Sequence, residues 1–416
     1  MRYIRLAYSQ NESRLKAPVN SRAQQMPHDH KDVSRVDGLN TLRALAILLV
    51  FMYHYMVFVS REPTFAWAST IGWIGVDLFF VLSGYLIANQ IFAGIVKGQA
   101  LSLKAFYVRR ALRTLPNYYV VLALYFLFPV VMGGREPPAL WRFLTFTQNY
   151  QLPPGTAFSH AWSLCIEEQF YLLLPALVLI AVRLKRSITL AWVLLAATIS
   201  AAIVTRAVLW TQFGREADGA ISGYHPNIYY SSFCRGDEFL PGVAVAMVKN
   251  VHVRAWQRLM QWGQTILIGG VVAFGLLVWL LLNFYEIEDY GYGFFMTAFG
   301  YSLVAICFAI LTVAALSPNS LLHKIRVPGA AQLAAWSYAI YLSHKAVAFI
   351  VQGQLAKAGI AANSLLLLAA ITVACVLVGW LLFRLVETPF MKLRDRHFPT
   401  NFPLANRAVP ATQTSA

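Results

Sequence analysis

Charge is what this 416-residue sequence has least of, with only 12% of its residues Asp, Glu, Lys or Arg. Soluble domains carry about 25%, so a water-exposed globule is excluded. Cysteine is nearly as scarce. Cys165, Cys234, Cys307 and Cys375 stand far apart, with no CxxC pair and no His at metal-ligand spacing. Neither disulfides nor a zinc site is expected, and the four read as small core residues. There is no glycine-rich phosphate loop, no internal repeat and no appended soluble domain, which leaves one membrane domain over residues 38–392. A cleaved signal peptide is also excluded, because the leader before the first apolar run is too long and no small-residue cleavage site follows it. Residues 1–37 read as a basic cytoplasmic tail and 393–416 as a second cytoplasmic tail, with 1–37 and 398–416 expected to be disordered.

What remains is apolar: 58% of the residues are hydrophobic and 14% aromatic. Runs of about 17 to 25 apolar residues are long enough to cross a bilayer. Ten are found, near 40–58, 70–92, 117–132, 162–182, 188–210, 232–248, 263–283, 294–315, 331–352 and 364–385. The fold class expected is an all-α bundle of about ten transmembrane helices. The net charge of +16 points to orientation rather than to nucleic acid, because alternate loops hold it. With the N-terminal tail inside, 25 of the 34 Lys and Arg residues fall on the inner side and 5 on the outer, which puts both termini in the cytoplasm.

Ionisable groups inside the runs cost about 2.5 to 3.5 kcal/mol each at mid-span, so they mark sites or pathways. Arg43 and His54 bracket RALAILLVFMYH. Eleven steps of about 100° return to the same helical stripe, about 16 Å along the axis. His54, Asp77, Glu167, Glu168, Arg235, Asp237, Glu238, His344 and Lys345 form a layer about 6 to 12 Å below the outer surface. Arg43, Arg109, Arg110 and Arg113 gather at the inner rim, with Arg110 and Arg113 i, i+3 neighbours. Guanidiniums so grouped suit a polyanion such as a phosphate ester. A competing reading gives each group a plainer role. The arginines signal orientation, Arg235 with Asp237 and Glu238 is an ion pair holding its span, His344 and Lys345 snorkel, and Asp77 pins span 2 against span 1.

Taken together the motifs resemble the acyltransferase 3 family of bacterial membrane O-acyltransferases, in its stand-alone form without an esterase-like domain. The resemblance rests on LNTLRALAILLVFMYH (39–54) with its Arg-x10-His, GVDLFFVLSGYLI (75–87), FYVRRALRTLPNYY (106–119) with its Arg-x-x-Arg and AWSLCIEEQFYLLLP (161–175). FCRGDEFLPGVAVA (233–246), SYAIYLSHKAV (337–347) and VETPF (386–390) follow in order. Cys165, Ile166 and Ser343 depart mildly from the family pattern.

The resemblance implies acyl transfer, acetyl first among the candidates, from cytoplasmic acyl coenzyme A to a hydroxyl of a carbohydrate such as a surface polysaccharide. The setting it implies is the bacterial cytoplasmic membrane, with the bilayer, the thioester and the glycan as partners, no metal and no nucleic acid. On this reading Arg43, Arg109, Arg110 and Arg113 hold the donor. His54 acts as general base or as acyl carrier, two options that sequence does not separate. Glu167, or failing it Asp77, orients the His54 ring. Ser83, Trp162, Glu168, Arg235 and His344 line the substrate path. The outer loops 133–160 and 211–231, with Tyr150 and His160 among their aromatic residues, face the acceptor. The alternative from another class is a transporter or flippase that moves an acyl group or lipid-linked sugar without bond chemistry.

Overall fold

The computed structural model describes residues 37–133, 136–215 and 220–402; of the tails expected at 1–37 and 393–416, residues 1–36 and 403–416 lie outside the described residues. The main helices are α1 (Asp37–Tyr55), α2 (Ile74–Val96), α3 (Leu103–Leu127), α4 (Trp162–Arg183), α5 (Ile188–Phe213), α6 (Leu240–Val251), α7 (Gly263–Phe284), α8 (Tyr301–Leu316), α9 (Ala330–Lys357), α10 (Leu365–Leu382) and α11 (Thr388–His397). Among the described residues sheet is confined to one hairpin of two-residue strands, Glu286–Ile287 against Gly291–Tyr292. This is the all-α membrane fold expected.

Each of the ten apolar runs corresponds to helix. Among the described residues seven helices are long and apolar enough to cross a membrane. Three runs differ, and composition explains two of them. The run at 117–132 covers the C-terminal part of α3 and the separate short helix Pro129–Met132; α3 itself is longer, capped by the Ser102 hydroxyl at Ala105 N–H and carrying its arginines in the N-terminal half. The run at 232–248 is broken into Ser232–Arg235, a 3-10 turn Gly236–Phe239 and then α6. Three charged residues in four positions require different partners on different sides, and a tighter turn aims them apart. The third, α9, is a continuous 28-residue helix of more mixed polarity.

The core centres on α2, which packs against α1, α6 and α8. Its crossing with α6 is backbone-close: a Cβ on Gly84 would stand 2.1 Å from the Phe239 carbonyl oxygen, and one on Gly242 2.1 Å from that of Val81. Small residues let helices approach in this way where lipid supplies no hydrophobic drive. Residues 398–402 are packed. The Asn401 carbonyl accepts from Ser102 N–H at 3.0 Å, and Phe402 lies against Gly94.

Candidate active site

Arg43 and His54 both lie on α1, as their spacing requires. Immediately after His54 the helix widens into a π-helical turn, Met56–Ser60, a local irregularity common at functional sites. The Nδ1 atom of His54 stands 2.6 Å from Nε2 of His344 on α9, and the two rings stack with centroids 4.9 Å apart. A third imidazole, His160, lies edge-on to both, at 6.2 Å from His54 and 5.1 Å from His344. Its Nε2 donates to the Leu342 carbonyl at 3.2 Å, and its buried Nδ1 has no hydrogen-bond partner. Lys345 braces the loop that carries His160, donating to Thr156 O at 2.8 Å and Ser159 Oγ at 3.0 Å. Among the described residues no group of three or more His, Cys, Asp or Glu is arranged to hold a metal ion.

Neither carboxylate expected to orient His54 does so. Glu167 accepts from Ser83 Oγ at 2.6 Å, from the Tyr171 hydroxyl and from Arg110 Nη2 at 3.4 Å. The reason is depth. The helix is led in by the turn Ser159–Ala161, so His160 occupies the level of His54, and Glu167 follows seven residues, about 10 Å, further in. Asp77 is spent elsewhere: it pairs with Arg235 at 3.2 Å, both side chains fully buried. Arg235 also pairs with Glu238 and is boxed by Trp73, Trp162, Tyr229 and Tyr301, with Tyr301 closest at 4.1 Å. Arg235 and Trp162 thus belong to one buried cluster of ion pairs and aromatic rings. The adjacent Asp237 turns the other way, to Arg206 at 2.8 Å, with Ser302 bonded to both.

The arginines divide similarly. Arg43, Arg110 and Arg113 line one cavity of about 90 Å³, together with Ser83, Glu167 and Tyr341. The Nε atoms of Arg43 and Arg110 are buried without a hydrogen-bond partner. The Arg110 guanidinium lies 3.5 Å from the centre of the Tyr171 ring. Glu387, buried and held by Asn117 Nδ2 at 3.1 Å, is within electrostatic reach of Arg43 and Arg113. Arg109, one position and so about 100° round the helix from Arg110, leaves this group. It donates to the Phe398 carbonyl and lies 3.9 Å from Asp395. Glu168 faces Thr114 and Arg110 on α3.

At its far end the cavity meets Tyr341 and Ser163, whose hydroxyls are 2.6 Å apart. The Tyr341 hydroxyl donates to the His160 carbonyl at 2.7 Å, and its ring lies 5.9 Å from that of His344. One tyrosine thus connects the arginine-lined cavity with the histidine cluster. A second cavity, of about 520 Å³, is formed by the loops that the charge bias places outside. Trp141, Asn149, Tyr150, Gln169, Asn227 and Phe233 line it.

Tyr171, Tyr341 and Glu387 were not singled out as site residues by the sequence, and His160 was named only among the outer-loop aromatic residues expected to face the acceptor. His160 stands one residue before the AWSLC block, Tyr171 and Tyr341 lie inside matched blocks, and Glu387 inside VETPF. The signal was present, but nothing in it distinguished these from packing residues.

The chain is 29% identical over 385 residues to a peptidoglycan O-acetyltransferase of Listeria monocytogenes, covering 88% of this chain and 57% of that protein. It is 29% identical over 337 residues to a Bacillus subtilis protein provisionally assigned the same reaction, with 77% and 49% covered. An O-acetyltransferase so assigned in Staphylococcus aureus is 25% identical over 390 residues, with 87% and 58% covered. The chain therefore spans about half the length of these relatives. No solved structure matches it. The family model described as an acyltransferase domain matches residues 36–384, and the chain belongs to that family, the acyltransferase 3 membrane proteins.

Proposed function

We propose that the protein transfers an acetyl group from acetyl coenzyme A, presented at the cytoplasmic mouth, to a hydroxyl of a cell-wall glycan outside. The observation that carries this reading is the single cavity joining Arg43, Arg110 and Arg113 to Tyr341, one ring from His344 and His54. Buried guanidinium donors left unpaired cost about 1 to 3 kcal/mol each or more, so a site that keeps two of them suits an anionic ligand. The phosphates of the donor would take them, and the thin acyl arm would run toward Tyr341.

His54 acts as general base in this reading. It takes the proton of the acceptor hydroxyl as that oxygen bonds to the thioester carbonyl carbon; the carbon–sulfur bond breaks and the proton passes to the leaving thiolate. The outer cavity would hold the acceptor chain. Its carboxamides match sugar hydroxyls, and Trp141, Tyr150 and Phe233 offer faces 61%, 65% and 79% exposed for pyranose rings. The names of the relatives support peptidoglycan as the first acceptor to try.

The test is acetyl transfer by the purified protein in lipid nanodiscs, from labelled acetyl coenzyme A to solubilised peptidoglycan chains, with and without His54→Ala. Labelled glycan from the parent and a loss of about 10²-fold or more in the variant are expected, the usual worth of a general base. Undiminished product from His54→Ala would refute the assignment. In sealed proteoliposomes, movement of label across the bilayer with no new ester would instead favour the transporter reading.

A further inference from the structure

We infer that His344 is the positioning residue for His54, holding it in the one tautomer that can act as a base, in the place where a carboxylate usually stands. The inference rests on the proposed role of His54 and on a short chain of hydrogen bonds. Nδ1 of His344 lies 2.8 Å from the Tyr341 carbonyl oxygen and 3.2 Å from that of Ile340. A carbonyl only accepts, so this nitrogen carries the hydrogen. In a neutral ring Nε2 of His344 then holds a lone pair. His54 Nδ1, 2.6 Å away, must be the donor, which leaves the lone pair of His54 on Nε2.

The direction of every bond follows from the fixed backbone of α9. Residues 340 and 341 lie one turn before His344 in the same continuous helix, so the tautomer of the second ring is set by the helix itself. His344 is 2% exposed, and water has little access to compete for its nitrogens. Without His344 the Nδ1–H of His54 would be left unpaired. The ring would then be free to move its hydrogen to Nε2, where it would block proton abstraction. Orienting groups on metal-bound or catalytic histidines act in this way, through tautomer and ring angle.

The inference also accounts for Asp77 and Glu167, the two carboxylates expected to orient His54, being bonded elsewhere. A neutral partner lets His54 be held without burying a carboxylate against the rings of Phe58 and Tyr53.

The experiment compares His344→Ala with His344→Gln in the nanodisc assay with acetyl coenzyme A and peptidoglycan chains. The glutamine carbonyl oxygen can take the place of Nε2 as the acceptor for His54. For His344→Ala a fall in kcat of about 10²-fold is expected, with KM for both substrates little changed, because ground-state contacts are kept. For His344→Gln at least about tenfold of that loss should return, as hydrogen-bond rescue implies. Thermal midpoints and elution profiles of the two variants check that both are folded. Parent-like kcat in folded His344→Ala, or equal kcat in folded His344→Ala and His344→Gln, would overturn the inference. Should either variant fail to fold, His54 labelled with 15N on the ring in the parent protein decides: a protonated Nδ1 and bare Nε2 are expected, and the reverse tautomer overturns it. Activity retained by His54→Ala would instead remove the underlying reading, so the two failures are separable.

Discussion

Arg206 and Arg235 have no exposed side-chain surface, and each is met by a carboxylate: Asp237 for the first, Asp77 and Glu238 for the second. Arg43 and Arg110 sit in the same bundle, yet each keeps an Nε buried without a hydrogen-bond partner, and both face a cavity. In the first pair each guanidinium has a carboxylate within 3.2 Å, although neither Asp77 oxygen makes a hydrogen bond, and the pairs tie together α2, α5 and the broken segment before α6. The second leaves donors open. Charge in a membrane domain thus separates into struts and sites by whether the chain itself answers it, and the sequence position of an arginine does not reveal which it is.

The largest effect that would sharpen this contrast is on stability. Arg235→Ala leaves Asp77 and Glu238 buried with no cation, a loss of about 3 to 5 kcal/mol. The thermal midpoint in detergent should fall steeply and little inserted protein should be recovered. A midpoint equal to that of the parent would mean that the strut is not one. Next in size is Arg43→Ala combined with Arg113→Ala. Hydrogen bonds to charged groups are worth about 1.5 to 3 kcal/mol each, so affinity for acetyl coenzyme A should weaken by tenfold or more. The midpoint should fall less than for Arg235→Ala, since relieved repulsion among the arginines offsets part of the loss of the cations near Glu387. Unchanged donor affinity by calorimetry would return these residues to the role of orientation signals. The smallest effect is expected from Arg109→Ala. Its ion pair with Asp395 is long, and Asp395 is 58% exposed, so less than about 1 kcal/mol is at stake. Donor affinity should not change, while trypsin should reach Arg394 and Arg396 sooner as the segment at Phe398 loosens.

Much of this was legible in the sequence where one helix suffices to decide it. Arg43 and His54 share α1, and Arg110 and Arg113 share a face of α3, so periodicity alone placed each pair. The ten apolar runs marked the helices for the same reason. What the sequence left open needs two elements at once. His344 lies 290 positions from His54, and only the packing of α9 on α1 brings them together. Glu167 and Asp77 were assigned to His54 by depth counted from the ends of apolar runs. That count ignored the turn at Ser159–Ala161, which puts His160 rather than Glu167 at that level, and it gave no direction round the helix, which for Asp77 is toward Arg235. Arg109 was grouped with its neighbours by proximity, though one residue of helix turns it to the Phe398 carbonyl. The break at Gly236–Phe239 was hinted at by the charges in its run, but their separate partners were not.

The most direct test is a ligand-bound map of the protein with a non-hydrolysable thioether analogue of acetyl coenzyme A. The account requires the phosphates to lie against Arg43, Arg110 and Arg113, and the carbonyl to lie beyond Glu167, between Tyr341 and His54. Phosphates held at any other surface, or a carbonyl that stops short among Ser83, Glu167 and Tyr171 with His54 sealed off behind Tyr341, would contradict it.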